Sequence, residues 1–373
     1  MADRLPNRDS IRRSLDLQPS SPFFTLLPAE IRNLIYAEFF RLSSPRQHII
    51  HGQSPDEHNP AVLIEQWGHK PCITDPTERD IRIDKFLVTD PMTSAGILWG
   101  NRLASEWCLH WACEEQGTDS QDAAAREAHP VAALVQEAHR THEGDSRCQS
   151  EEPPSPPPAK TGFLNILTAC KRMYLECLPS LYGNTTFVFT DTRTAGDFLE
   201  RYGGDVDHYP LRSLEICIRV TNIITEMYYP HGARGSDEGP PAVFAGRARP
   251  SLSMKNNPWQ RLCDRLVEQP NLQDLRIWLD SSDLRPWHKR VSETRFFATL
   301  FDVRVPDKSR FVLGLPELPE RRGPDSLALE GHYLEGEKAE KAPFTIERAE
   351  RPNNWRVHLR NIVRQPQRRN VQA

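Results

Sequence analysis

Apolar residues first fall into a regular pattern at Phe23. In Phe24-Thr25-Leu26-Leu27-Pro28-Ala29-Glu30, Pro28 suits a first helical position, and Glu30 sits in the first turn, where the helix dipole favours an acid. Beyond it Ile31, Leu34, Ile35, Phe39 and Leu42 recur at helical spacing, with Arg32, Asn33 and Glu38 on the opposite face. The pattern predicts a short amphipathic helix that buries the Ile31–Leu42 stripe and stops at Ser43-Ser44-Pro45. From there to about Asp90 the signal weakens. Ala61-Val62-Leu63-Ile64 and Asp84-Lys85-Phe86-Leu87-Val88 each read as a strand. Ile97, Ala104, Cys108 and Trp111 then mark one face of a helix carrying Trp99, Trp107 and Trp111.

A second ordered stretch begins near Phe163. Phe163, Ile166, Leu167, Cys170, Tyr174 and Cys177 form one stripe, with Lys171, Arg172 and Glu176 facing out. Pro179 predicts an end or a kink near Leu178, because proline removes a helical hydrogen bond and clashes with the preceding turn. Gly183-Asn184 reads as a turn, and Thr185-Thr186-Phe187-Val188-Phe189-Thr190 as a strand. The alternation of helix and strand then repeats. Ala195, Phe198, Leu199 and Tyr202 predict a helix closed by Gly203-Gly204, and Leu214, Ile216, Ile218 and Val220 a strand. After a Gly/Pro-rich loop (His231 to Pro250), Asn257 as N-cap and Pro258 at the first position open a helix. That helix bears Trp259, Leu262, Cys263, Leu266 and Val267 and stops at Pro270. Leu275, Ile277 and Leu279 alternate as a strand, Phe296, Phe297, Leu300 and Phe301 mark a helix, and Phe311-Val312-Leu313 a last strand.

Helix-then-strand repetition implies parallel strands with returning helices. The fold class is therefore α+β or α/β: a helical N-terminal region, then a small repeating helix–strand body. That body is either an open sheet or a degenerate leucine-rich-repeat-like solenoid: Pro270-Asn271-Leu272-Gln273-Asp274-Leu275-Arg276-Ile277 has the cadence of such a repeat strand, but the spacing between units is irregular. The chain divides into a disordered start (1–20), the first helix with an irregular insertion (21–113), a disordered linker (114–160), the body (161–315) and a charged tail (316–373). In the tail, Trp355, Leu359, Ile362 and Val363 outline one amphipathic helix.

Composition sharpens the linker and the compartment. The segment from Glu114 to Lys160 turns to Glu, Gln, Ala, Ser and His and ends in Pro153-Pro154-Ser155-Pro156-Pro157-Pro158, so it has little to bury, with transient helix expected only within Asp122 to His142. The 32 prolines against 19 glycines and a 38% apolar fraction fit a folded body interrupted by linkers. A net charge of −4 argues against a general nucleic-acid binder. No apolar run approaches the roughly 20 residues of a membrane span, and Met1 to Leu17 lack a signal-peptide core. Eight scattered cysteines resemble reduced thiols rather than a secreted disulfide framework, which places the protein in the cytoplasm or nucleus and makes Asn184-Thr185-Thr186 a chance sequon.

The search for chemistry yields little. Trp107-Cys108-Leu109-His110-Trp111-Ala112-Cys113 holds three metal-ligand types in a short window, but zinc takes four and the cysteines are not in knuckle spacing, so the expectation is a buried helix and no metal. His129, His139 and His142 lie in the linker, Cys170 and Cys177 share a packing face, and Asp205-Val206-Asp207 sits among turn residues. No phosphate loop, dinucleotide fingerprint or nucleophile elbow is present. No catalytic residue and no cofactor are therefore expected. The arginines Arg356, Arg360, Arg364, Arg368 and Arg369 are read as a solvated face and tail.

At Leu27-Pro28-Ala29-Glu30-Ile31-Arg32-Asn33-Leu34-Ile35-Tyr36 the chain resembles the F-box opening, and more closely a fungal group of F-box-like proteins of unknown function. Leu167-Thr168-Ala169-Cys170-Lys171-Arg172-Met173-Tyr174-Leu175-Glu176-Cys177-Leu178-Pro179-Ser180-Leu181-Tyr182 and Asn184-Thr185-Thr186-Phe187-Val188-Phe189 look like that group's continuation. The resemblance implies an interaction role, with the small adaptor subunit of a cullin ubiquitin ligase as a partner. It departs from an F-box in that Ser43 to Gly162 separate the two halves. Closing such a loop costs only about 0.6 kcal/mol per doubling of length, so the helices are still expected to pair. The function expected is a non-enzymatic protein-interaction module, with Leu27, Pro28, Ile31, Leu34 and Ile35 as partner-binding residues. The alternatives are an enzyme with its site at the carboxyl ends of an α/β sheet, and a nucleic-acid accessory factor acting through the C-terminal arginines.

Overall fold

A computed structural model of the chain describes residues 8–55, 63–75, 78–90, 93–116, 165–202, 211–220, 257–281, 287, 291–318 and 332–349. Within them lie seven strands and twelve α-helices in a mixed α/β arrangement. The helices are α1 (Arg8–Arg13), α2 (Pro22–Leu26) and α3 (Ala29–Leu42). After the hairpin β1 (Arg46–Pro55) and β2 (Leu63–Pro71) come α4 (Arg82–Val88), α5 (Ser94–Ala104), a 3-10 turn (Cys108–His110) and α6 (Trp111–Gln116). Then follow α7 (Asn165–Ala169), α8 (Lys171–Asn184), β3 (Thr186–Phe189), α9 (Thr192–Tyr202), β4 (Ser213–Val220), α10 (Pro258–Val267) and β5 (Asp274–Ser281). The chain continues through α11 (Glu293–Phe296), a 3-10 turn (Ala298–Asp302), β6 (Phe311–Pro316), α12 (Glu337–Lys341) and β7 (Thr345–Ala349).

The sheet runs β2-β1-β3-β4-β5-β6-β7, antiparallel only between β1 and β2. Strand β3 lies parallel beside β1, and from β4 onward each strand is laid beside its predecessor in the same direction. Right-handed crossovers then place the described helices between these strands on one face, here called the front. Phe187, Phe189, Leu214, Ile216, Ile218, Leu275, Ile277, Leu279, Phe311 and Leu313 point to that face. There they pack with Leu181 of α8, Phe198 of α9, Leu262 and Leu266 of α10, and Phe296 and Leu300. Asn257 accepts the Trp259 N–H as N-cap ahead of Pro258 at the first position, as the pattern predicts.

The back face is covered as well, which the sequence pattern does not reveal. Every residue of β4 from Leu214 to Val220 is buried, Glu215, Cys217 and Arg219 included. Their cover is the segment from Arg46 to Gln116, expected as an irregular insertion. Its hairpin extends the sheet, and its helices lie across the back: Arg219 donates to the carbonyls of Leu103 and Ala104 at 2.5 and 2.7 Å. The fully buried Arg82 pairs with Asp80 at 2.8 Å and with Asp280 of β5 at 3.2 Å.

Several expectations change. Asp84 to Val88 is helical rather than a strand, since Arg82 and Phe86 share the buried side one turn apart. The tryptophan-bearing helix is two helices broken after Ala104, and Cys108, in a left-handed conformation (φ 52°), opens the 3-10 turn that leads into the second. Strand β2 begins at Leu63, inside the stretch expected to be a strand. Helix α8 runs through Pro179 to Asn184, because Pro179 is exposed and the buried Leu178, Leu181 and Tyr182 hold the helix on both sides of it. The segment expected as a tail supplies β7, and Glu114 to Gln116 belong to α6. The linker from residue 117, Asp205–Asp207, the 231–250 loop and the tail helix at Trp355–Val363 lie outside the described residues.

Candidate metal centre and paired helices

Helices α3 and α8 pack together, but through the face of α3 opposite to the one expected. Arg32, Tyr36 and Phe40, four residues apart, turn inward; Ile31, Leu34, Ile35 and Leu42 face solvent. The cause is Glu176, expected to face out. It receives Arg32 Nε at 2.7 Å and Nη2 at 3.0 Å, Tyr36 Oη at 3.2 Å, and Arg172 Nε at 2.9 Å. Burial pushes the Glu176 carboxyl up, but the bonds from Arg32 and Arg172 outweigh it and hold it below its ordinary value. The Tyr36 hydroxyl is raised by burial and by the facing carboxylate. Of the residues expected to bind a partner, Leu27 is half-buried, while Pro28, Ile31, Leu34 and Ile35 are exposed on α3 or at its start.

On the back face, four side chains from four chain segments converge: His48 of β1, Cys72 just past β2, His110 of the 3-10 turn and Cys113 of α6. Their ligand atoms all lie within 4.8 Å of one another. Each position has a local cause. His48 pairs in register with Val188, which pairs with Glu215, so His48 and Glu215 share the back face. Cys72 is placed by its N–H bond to the Arg46 carbonyl. His110 and Cys113 stand three residues apart and so share one side of a helical turn.

The geometry is tight. Cys72 Sγ lies 3.8 Å from Cys113 Sγ and 3.3 Å from His110 Nδ1. The far nitrogen of His110, Nε2, lies 3.1 Å from Glu215 Oε1, and the other oxygen of Glu215 accepts from Arg46. Cys113 Sγ accepts the Ile73 N–H at 3.4 Å and lies 3.2 Å from Thr74 Oγ1. Lys70 crosses the Trp107 ring 4.0 Å from its centroid and donates to the Cys113 carbonyl. His48 is 1% exposed, and neither of its ring nitrogens has a hydrogen-bond partner.

Electrostatics favour a thiolate here. The Cys113 thiol is lowered because the neighbouring Cys72, His110 and His48 favour its ionised form, against the opposing effect of burial. The Cys72 thiol is raised by that neighbouring sulfur and by burial. Burial pulls His110 down, but Cys113 and Glu215 more than restore it; His48 is lowered by burial. Glu215 is held at about 2 in spite of burial, by His110 and Arg46.

The window from Trp107 to Cys113, expected to be plain core, thus contributes two of the four residues. Cys108 is left out: its thiol lies beside Cys217 of β4. His48 and Cys72 were missed, because nothing in their own surroundings marks them; only the His110-x-x-Cys113 spacing was a visible signal.

No curated protein and no solved structure matches the chain. A family model does match, over residues 103–326, more than half of the length: that of a domain of unknown function, DUF7730. It takes in His110, Cys113 and Glu215, with α8 and most of the sheet, and leaves out α3, His48 and Cys72.

Proposed function

We infer that this chain, which belongs to the DUF7730 family, is a non-enzymatic protein-interaction module whose partner docks on the outward face of α3. The observation that carries this reading is the exposure of that face. Ile31, Leu34 and Ile35 are 43%, 66% and 41% exposed on a helix whose inner side is already engaged, with Leu26 and Leu42 at its ends. Scattered exposed leucines are ordinary, but contiguous apolar residues on one helical face gain from being covered by a partner.

The partner we propose is the small adaptor subunit of a cullin ubiquitin ligase. The exposed residues are those that resemble the F-box opening, and α8, which pairs with α3, carries the continuation of that resemblance. On this reading the strands β3 to β7, each stacked beside the last, act as a degenerate leucine-rich-repeat-like body whose loops hold a second protein. The buried charges of the back face are engaged with one another, which suits a scaffold better than an open site.

Calorimetric titration of the purified full-length chain with purified adaptor tests this. A one-to-one complex at micromolar or tighter affinity is expected, weakened at least about tenfold in the Leu34→Asp, Ile35→Asp double variant, whose circular dichroism stays that of the wild type. No binding of wild type at about 100 μM would remove the adaptor as the partner.

A further inference from the structure

We propose that His48, Cys72, His110 and Cys113 bind one Zn2+ ion as a closed structural site that fastens the segment preceding α7 to the back of the sheet. Two of the separations, Cys72 Sγ to Cys113 Sγ and Cys72 Sγ to His110 Nδ1, are close to those of a coordination tetrahedron, and all four ligand atoms lie within 4.8 Å of one another. With zinc–sulfur bonds of about 2.3 Å and zinc–nitrogen bonds of about 2.0 Å, two sulfurs stand about 3.8 Å apart, and a sulfur and a nitrogen about 3.5 Å apart. The corresponding distances here are 3.8 Å and 3.3 Å.

The surroundings of the four residues support the assignment independently of those distances. His110 turns Nδ1 toward the sulfurs and Nε2 toward Glu215, the carboxylate–histidine arrangement that fixes the ring of a metal-bound imidazole. His48 is buried with neither nitrogen hydrogen-bonded, a state that carries a desolvation penalty unless something accepts its lone pair. A metal ion does. The Ile73 N–H and the Thr74 hydroxyl beside Cys113 Sγ suit a sulfur carrying negative charge. Two thiolates and two imidazoles select zinc over magnesium or calcium, which take oxygen ligands. Four protein ligands fill the tetrahedron and leave no position for a reacting water, so the ion's role is to hold structure. On binding, the Cys72 and Cys113 thiols give their protons to solvent and both imidazoles coordinate through an unprotonated ring nitrogen.

The same ion would join β1, the chain beyond β2, and α6 to one another on the back of the sheet. His48 lies in the hairpin and Cys72 just past its end, and His110 and Cys113 follow 38 and 41 residues beyond Cys72.

The test uses the untagged full-length protein. Elemental analysis is expected to find one zinc per chain. Replacement by Co2+ should give the strong visible bands and thiolate charge-transfer absorption of a tetrahedral site with two sulfurs. Cys72→Ser and Cys113→Ser should each abolish stoichiometric binding, whereas Cys170→Ser, a helix N-cap on the front side, should keep it. Glu215→Gln should weaken zinc about 10- to 100-fold in chelator competition. Three results overturn the proposal: wild type with no zinc and no tetrahedral cobalt spectrum, zinc retained in both serine variants, or a Cys72–Cys113 disulfide found by mass spectrometry in freshly isolated protein. The cobalt spectrum is read on wild type, so it decides the matter even where a serine variant does not fold.

Discussion

Arg32 lies in a helix rich in isoleucine and leucine, yet it is the residue turned inward, and its carboxylate partner lies 144 residues along the chain. A hydropathy pattern counts arginine and tyrosine as polar, so it placed Ile31, Leu34 and Ile35 in the core and Arg32 in water. The inward face is instead made by Arg32, Tyr36 and Phe40, each with a long apolar portion ending in a satisfied polar group or a ring. This predicts a measurable cost. Glu176→Gln should lower stability at pH 7 by about 2 kcal/mol, the scale of charge-assisted hydrogen bonds lost at a part-buried site. The sign with pH follows from the lowered carboxyl of Glu176. Its contribution is present above the ordinary value of 4.5 and is lost as pH falls through the lower folded value, so denaturant midpoints of wild type and variant should converge as pH falls below 4.5. Asp280→Asn should cost about 3 kcal/mol in the same assay, since it leaves the fully buried Arg82 with Asp80 alone.

At the scale of elements, the strands that alternate cleanly, such as Leu275-Ile277-Leu279, were legible because their front face is uniformly apolar. So was α10, whose Asn-Pro start names its own first turn. Strand β1 was not, because its buried residues are polar: Gln47 bonds to His69 of the paired strand, and His48 packs against the Trp107 and His110 rings. Strand β7 was missed for a related reason: Thr345 to Ala349 carry Glu347 and Arg348, and the Arg348 guanidinium is held by Glu293 of α11 at 2.7 Å. Helix α8 shows local propensity overruled. Proline in a helix interior costs about 3 kcal/mol relative to alanine, yet the packing of Leu178, Leu181 and Tyr182 carries the helix through Pro179. Because Pro179 is exposed, Pro179→Ala should raise stability by about 1–3 kcal/mol, seen as a higher thermal midpoint.

For the molecule as a whole, the described residues from Arg46 to Gln116, between α3 and α8, are part of the fold rather than an appendage. The chain first builds the hairpin edge and the back cover, and only afterwards the parallel strands that these elements flank. Parallel sheets are stable when both faces are covered. Here the front is covered by crossover helices that sequence periodicity announces, and the back by buried charges and the histidine–cysteine cluster, which it does not. Native-state amide hydrogen exchange on the full-length chain tests this division of labour most directly. The account predicts that amides of Leu103 to Cys113 open with the same free energy as those of β4, as one cooperative unit. Exchange of that segment orders of magnitude faster, with β4 still protected, would mean that the back cover is not part of the folded core.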